Sequence, residues 1–161
     1  LEFRRVLFRS DAGVGAAFEE ERRGILCRAR DPAKLRSEVL DMRAQLLEGH
    51  PNRSELFDLK HDRGGMIDVE FLVQYLVLAN AAAHPSLTAN DGNLALLGMA
   101  ADLGLIDAAR AGAVQEAYRQ LRRRQHALRM AGERYARVPV ESLAGEIAAT
   151  RALWREVFGT D

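Results

Sequence analysis

Cysteine, aromatic residues and long apolar runs are all scarce in this chain. The single cysteine among 161 residues, Cys27, excludes an internal disulfide and a multi-cysteine metal site. It fits a reducing cytoplasm. No apolar run reaches the roughly 20 residues needed to span a bilayer. Charge of one sign is lacking too: basic and acidic residues number 23 each. The chain as a whole therefore has no pull toward nucleic acid or a membrane surface. Aromatics make up 6% of the sequence, too few to interleave a basic surface as single-stranded nucleic-acid binders do. There is no internal repeat, low-complexity tract or flexible linker.

What is present favours helices. Alanine, leucine, arginine and glutamate dominate, and all are good helix formers. The length suits one domain, or one domain plus a fragment, and is enough to bury a core. Residues 1–10, Leu1 to Ser10, differ in style from the rest and lack the apolar h-region of a signal peptide. They read as a non-native leader of vector, adapter or assembly origin, and lie outside the fold argument.

A charged helix is expected from about Gly13 to Arg30. Asp31-Pro32 is an N-cap followed by proline at the first helical position. It opens a second helix to about Glu48, with an apolar face of Leu35, Val39, Met42, Leu46 and Leu47. Met66 to Ala83 is apolar nearly all round and should be buried, and His84-Pro85 stops it. Further helices are expected over Asp91–Leu103, from an Asp107 cap to about Tyr135, and over Ser142–Phe158. The fold class is all-α: a bundle of about five to six helices with one short extended segment near residues 56–60. Residues 11–49 read as linking helices and residues 50–161 as the bundle domain. Trp154 and Phe158, four apart, read as core.

One stretch breaks the helical rules: Phe57-Asp58-Leu59-Lys60-His61-Asp62-Arg63-Gly64-Gly65-Met66-Ile67-Asp68-Val69-Glu70-Phe71. A β-like run leads to a lysine, then to paired glycines, then to two carboxylates in the first turns of an apolar helix. Glycines admit unusual backbone shapes and close approach of a ligand. Helix N-termini carry unpaired N–H groups that favour anions. The combination resembles a phosphate-handling corner, with carboxylates able to hold a metal ion or orient a hydroxyl. The plainer reading is a tight turn whose acidic residues answer the helix dipole. Asp68 and Glu70, two apart on a helix, face different directions. One is expected to cap or form a salt bridge and the other to face a cleft, and Asp68, nearer the turn, is the better site candidate.

The spacing of Phe57-Asp58-Leu59-Lys60, Gly64-Gly65, Asp68-Val69-Glu70-Phe71 and Gln74-Tyr75-Leu76-Val77-Leu78 resembles the C-terminal part of the bacterial bifunctional glutamine synthetase adenylyltransferases. The likeness continues upstream through Ala17 to Arg22 and Glu38 to Arg43. Downstream it includes Pro85 to Thr88, Ala117-Tyr118, Leu121-Arg122 and Trp154. It covers roughly residues 16 to 158. A helical domain of the PII uridylyltransferases is similar and is the nearest competing assignment, but differs after the aspartate, where this chain has Glu70-Phe71; the other alternative is a non-catalytic helical docking module.

The resemblance implies a helical domain that follows a nucleotidyltransferase domain, in a cytoplasmic enzyme passing AMP from ATP to a tyrosine of glutamine synthetase. It implies ATP and magnesium as cofactors, and glutamine synthetase and a PII-type signal protein as partners. Lys60, Gly64, Gly65, Asp68 and Glu70 become nucleotide-site candidates, Lys60 through its mobile point charge. The family's catalytic glycine-serine turn followed by two closely spaced aspartates is absent from this sequence. The resemblance thus implies that the chemistry resides on an upstream domain and that this piece alone is inactive. Arg119, Arg122, Arg123, Arg124 and Arg129 make a basic stretch, either a solvated face or a surface for an anionic partner. Arg122, Arg123 and Arg124 are the partner-binding candidates, although relatives often carry a glutamate just after the Leu-Arg pair. His61, His84 and His126 are scattered in sequence, and no metal site is expected within the chain.

Overall fold

The computed structural model describes residues 12–89 and 91–160. The leader expected at residues 1–10 lies outside them. Six α-helices occupy the described chain: α1 Ala12–Leu26, α2 Pro32–Gly49, α3 Met66–Asn80, α4 Asn93–Asp102, α5 Ala108–Met130 and α6 Ala144–Phe158. Two 3-10 turns, Pro85–Thr88 and Val140–Leu143, precede α4 and α6. The all-α reading holds. None of these helices is long and apolar enough to cross a membrane.

Caps act where the sequence places them. Asp31 accepts hydrogen bonds from the Ala33 and Lys34 N–H groups at 2.9 and 3.0 Å, and Asp107 accepts one from Arg110 N–H at 2.8 Å. Several ends fall inside their expected limits. α1 stops at Leu26, where Arg30 folds back to donate to the Ile25 and Leu26 carbonyls. α3 stops at Asn80 rather than Ala83, and α4 starts at Asn93 rather than Asp91. α5 stops at Met130 rather than Tyr135, because Gly132 takes a φ of +81° and Glu133 N–H turns back to Leu128 O.

The extended segment is a strand, β1 Phe57–Asp58, paired antiparallel with β2 Arg137–Val138. The register sets Phe57 against Val138 and Asp58 against Arg137. The partner strand was not foreseen. Two residues beside Pro139 carry no alternation to read.

α3 is the centre of the bundle and packs against α2, α4, α5 and α6. Val69, Leu72, Leu97, Val114, Leu121, Leu143, Leu153 and Phe158 are fully enclosed. Trp154 and Phe158 pack as expected, ring centroids 4.4 Å apart. The apolar face of α2 is only partly used. Leu35 is buried, but Met42 is 59% exposed. Met42 lines an open groove of about 630 Å³ between α2 and α3, together with Leu35, Val39, Phe71 and Leu78.

Candidate functional site: a self-satisfied glycine corner

The run from β1 to α3 folds into a corner that consumes its own polar groups. The Asp58 carboxylate accepts from the Lys60 and His61 N–H groups, both at 3.0 Å, and meets Arg137 Nε at 3.4 Å. Burial pushes the Asp58 carboxyl up, but these N–H groups, the His61 ring and Arg137 outweigh it and hold it below its usual value. Asp62 accepts from Asp58 N–H at 2.8 Å and from Asn52 Nδ2 at 2.7 Å.

The glycines are required by shape. Gly64 has φ +89°, and a Cβ there would lie 2.8 Å from Ile147 Cγ2. A Cβ on Gly65 would lie 2.8 Å from the Asp62 carbonyl oxygen and 2.9 Å from that of Leu59. These carbonyls crowd Gly65 because they accept its neighbours' N–H groups. Gly65 donates to Asp62 O, Met66 to Leu59 O and Ile67 to Lys60 O.

In that pattern the backbone donors of the expected phosphate cradle are already paired. The N–H groups of Gly65, Met66 and Ile67 are spent on carbonyls, and Gly64 N–H is spent on Asp68 Oδ2 at 2.6 Å. The start of α3 does not offer them to an anion.

Asp68 and Glu70 divide their tasks as their spacing requires, but Asp68 takes the internal one. It is 3% exposed and its other oxygen accepts from Arg43 Nε at 2.5 Å. Arg43, itself 1% exposed, also donates to the His61 carbonyl at 2.8 Å. Asp68 therefore ties α2, the turn and α3 together. The expectation that it, as the residue nearer the turn, is the one to face a cleft ligand runs against this geometry. Glu70 is half-buried and accepts from Tyr118 Oη at 3.1 Å. Tyr118 also accepts from Asn93 Nδ2 at 3.2 Å, and the Arg122 guanidinium stands 5.9 Å from its ring centroid. Burial, and then the Glu70 carboxylate, push the Tyr118 phenol up, against the Asn93 hydrogen bond. Asn93 carried no signal in the sequence.

Lys60 is exposed at the rim of the corner. Its backbone is pinned at both ends, N–H to Asp58 and C=O to Ile67, so a mobile charge sits on a fixed base. The His50 and His61 rings stack 4.3 Å apart. The arginines of α5 have separate surroundings: Arg122 lies over Tyr118, Arg124 donates to the Ser142 carbonyl at 3.2 Å, and Arg123 is exposed. Among the described residues, no group of three or more His, Cys, Asp or Glu side chains could hold a metal ion. Asp68 and Glu70, occupied and facing apart, do not fit magnesium.

The class of domain this chain forms is an all-α bundle with a buried, cross-braced glycine corner. The family model described as GlnD PII-uridylyltransferase matches residues 40–152, and the chain belongs to that family. Similar curated proteins carry a different emphasis in their names. A bifunctional glutamine synthetase adenylyltransferase/adenylyl-removing enzyme from Nitrosomonas eutropha is 48% identical over 93% of this chain. Proteins of the same name from Bordetella bronchiseptica and Ralstonia nicotianae are 56% and 55% identical over 92% and 93% of it. The chain spans only 16–18% of the length of these relatives.

Proposed function

We propose that this chain is a C-terminal piece of a bifunctional glutamine synthetase adenylyltransferase/adenylyl-removing enzyme, and that the whole protein transfers AMP from ATP to a tyrosine of glutamine synthetase. The observation that carries the reading is the identity of 48–56% over more than nine-tenths of the chain with enzymes of that name. The family model's own name keeps a PII uridylyltransferase-like enzyme as a second reading.

In this reading the reacting groups, ATP and magnesium belong to a nucleotidyltransferase domain outside this chain. The piece alone is inactive and acts in the cytoplasm as one wall of the nucleotide cleft. Lys60 offers its ammonium to nucleotide phosphate from a base that cannot shift. Gly64, Gly65 and Asp68 position that base, and Glu70 holds Tyr118 on the neighbouring helix. Arg122, Arg123 and Arg124 present positive charge to glutamine synthetase or to a PII-type regulator.

The test is adenylylation of glutamine synthetase by the full-length enzyme carrying Lys60→Ala. Loss of one charge-assisted contact should lower the rate about tenfold to a hundredfold. Unchanged activity would remove Lys60 from the cleft. Charge reversal across Arg122 to Arg124 should weaken docking in a salt-dependent way, and an unchanged docking affinity would remove that surface.

A further inference from the structure

On the far side of the Gly64 turn lies a pocket of about 140 Å³, lined by Arg63, Asp68, Arg151 and Trp154. It shares no lining residue with the groove between α2 and α3, and Lys60 does not line it. Its walls come from the glycine turn, the first turn of α3 and one face of α6. Ile147, Arg151 and Trp154 recur at helical steps on that face. The close approach of Ile147 to Gly64 holds the face against the turn.

The polar groups of this pocket are unbalanced. Asp68 is the one carboxylate in the wall, and both its oxygens are already satisfied, by Arg43 and by Gly64 N–H. Arg63 and Arg151 have no hydrogen-bond or ion-pair partner among the described residues. The Trp154 ring closes the wall at 3% exposure, with its Nε1 enclosed in the protein. Guanidinium groups donate and never accept. The complement of two unpaired guanidinium groups is an acceptor with negative charge. The volume is several times the roughly 30 Å³ of a liquid water. It suits one phosphate or carboxylate group rather than a whole nucleotide.

We infer that this pocket is an oxyanion site, binding a phosphate or carboxylate group of a small ligand through Arg63 and Arg151, beside the Trp154 ring. Paired guanidinium donors are suited to planar or tetrahedral oxyanions through charge-assisted, bidentate contacts. The inference is independent of the role assigned to Lys60.

Trp154 is the only tryptophan of the chain and lines this pocket, so its fluorescence responds to what enters it. The experiment titrates the 161-residue chain with inorganic phosphate and, separately, with malonate, each against sodium chloride at matched ionic strength. A saturable change with one oxyanion and none with chloride is the expected result, and the responding salt identifies the group. Arg151→Ala, an exposed position that should not disturb folding, should weaken binding about tenfold or more. Lys60→Ala should leave the titration unchanged. A response equal to that of chloride, no response to either oxyanion, or equal affinity in Arg151→Ala would overturn the assignment. Loss of binding in Lys60→Ala would move the anion to the other side of the corner and overturn it as well.

Discussion

Arg43 of α2 and Asp68 of α3 form an ion pair at 2.5 Å in which both side chains are almost wholly enclosed, at 2% and 5% exposure. The pair binds the long helix that leads into the bundle to the helix at its centre. Arg43 continues to the His61 carbonyl, and Asp68 to Gly64 N–H, so one pair braces two helices and the turn between them.

Arg43→Ala should therefore be among the most damaging single changes. It leaves a buried carboxylate without its cation, a loss of about 3–5 kcal/mol. The double variant Arg43→Met, Asp68→Leu removes both charges and should recover much of that loss. Urea unfolding of the three proteins decides it. A loss under about 1 kcal/mol in Arg43→Ala would mean the pair is not the brace its burial implies.

Gly64→Ala should destabilise by more than about 1 kcal/mol, since the new methyl meets Ile147 and the backbone sits at φ +89°. Gly112 is a control. It lies within α5 with nothing within 4 Å of an added Cβ. Gly112→Ala should stabilise by about 0.5–1 kcal/mol through helix propensity. Thermal melts of both variants should move in opposite directions, and a shared direction would contradict the geometry.

Acid should weaken the corner in two steps. Burial lowers the His61 pKa below its usual 6.5, with Asp58 opposing and His50 reinforcing. The unfolded chain then takes up that proton before the folded one, so stability is complete above pH 6.5 and falls as pH drops through the folded value. The depressed Asp58 carboxyl adds stability that is complete above its ordinary 3.8 and is lost as pH falls further. His61→Gln should flatten the upper step, and Asp58→Asn the lower one. Urea midpoints measured from neutral to acidic pH test both. An unaltered upper step in His61→Gln would assign it elsewhere.

Tyr118→Phe removes the hydroxyl shared by Glu70 and Asn93 and should cost about 1 kcal/mol in urea unfolding. The same variant exposes the titration of the phenol. The alkaline absorbance difference between parent and variant should have its midpoint above the ordinary 10.0, because burial and the Glu70 carboxylate disfavour the phenolate. A midpoint at or below 10.0 would mean that the hydroxyl is solvated.

Much of the architecture was legible because helix signals are local. Asp31-Pro32 and Asp107 cap where they were read, and the near-continuous apolar character of residues 66–80 announced the buried central helix. The short strand was legible on one side only. Phe57-Asp58 stood out beside the glycines, whereas Arg137-Val138 gains its structure from pairing with them across 79 residues. Helix ends were misread by a few residues where the stop depends on a side chain folding back, as with Arg30, or on a glycine turn, as with Gly132.

Local residue chemistry was enough for the helical class, the caps, the central helix and the need for glycine at positions 64 and 65. It also determined that Asp68 and Glu70 must part, since a helix turns about 100° per residue. The packing of distant helices sent each one its own way. Arg43, 25 residues before Asp68, arrives on another helix and takes that carboxylate inward, while Tyr118 arrives on a third, takes Glu70, and is itself held by Asn93 from a fourth. It also decided that the N–H groups at the start of α3 are spent on the loop's own carbonyls, and that Arg63, Arg151 and Trp154 share one pocket. Such pairings depend on how helices pack in three dimensions, and no local pattern of residues encodes them.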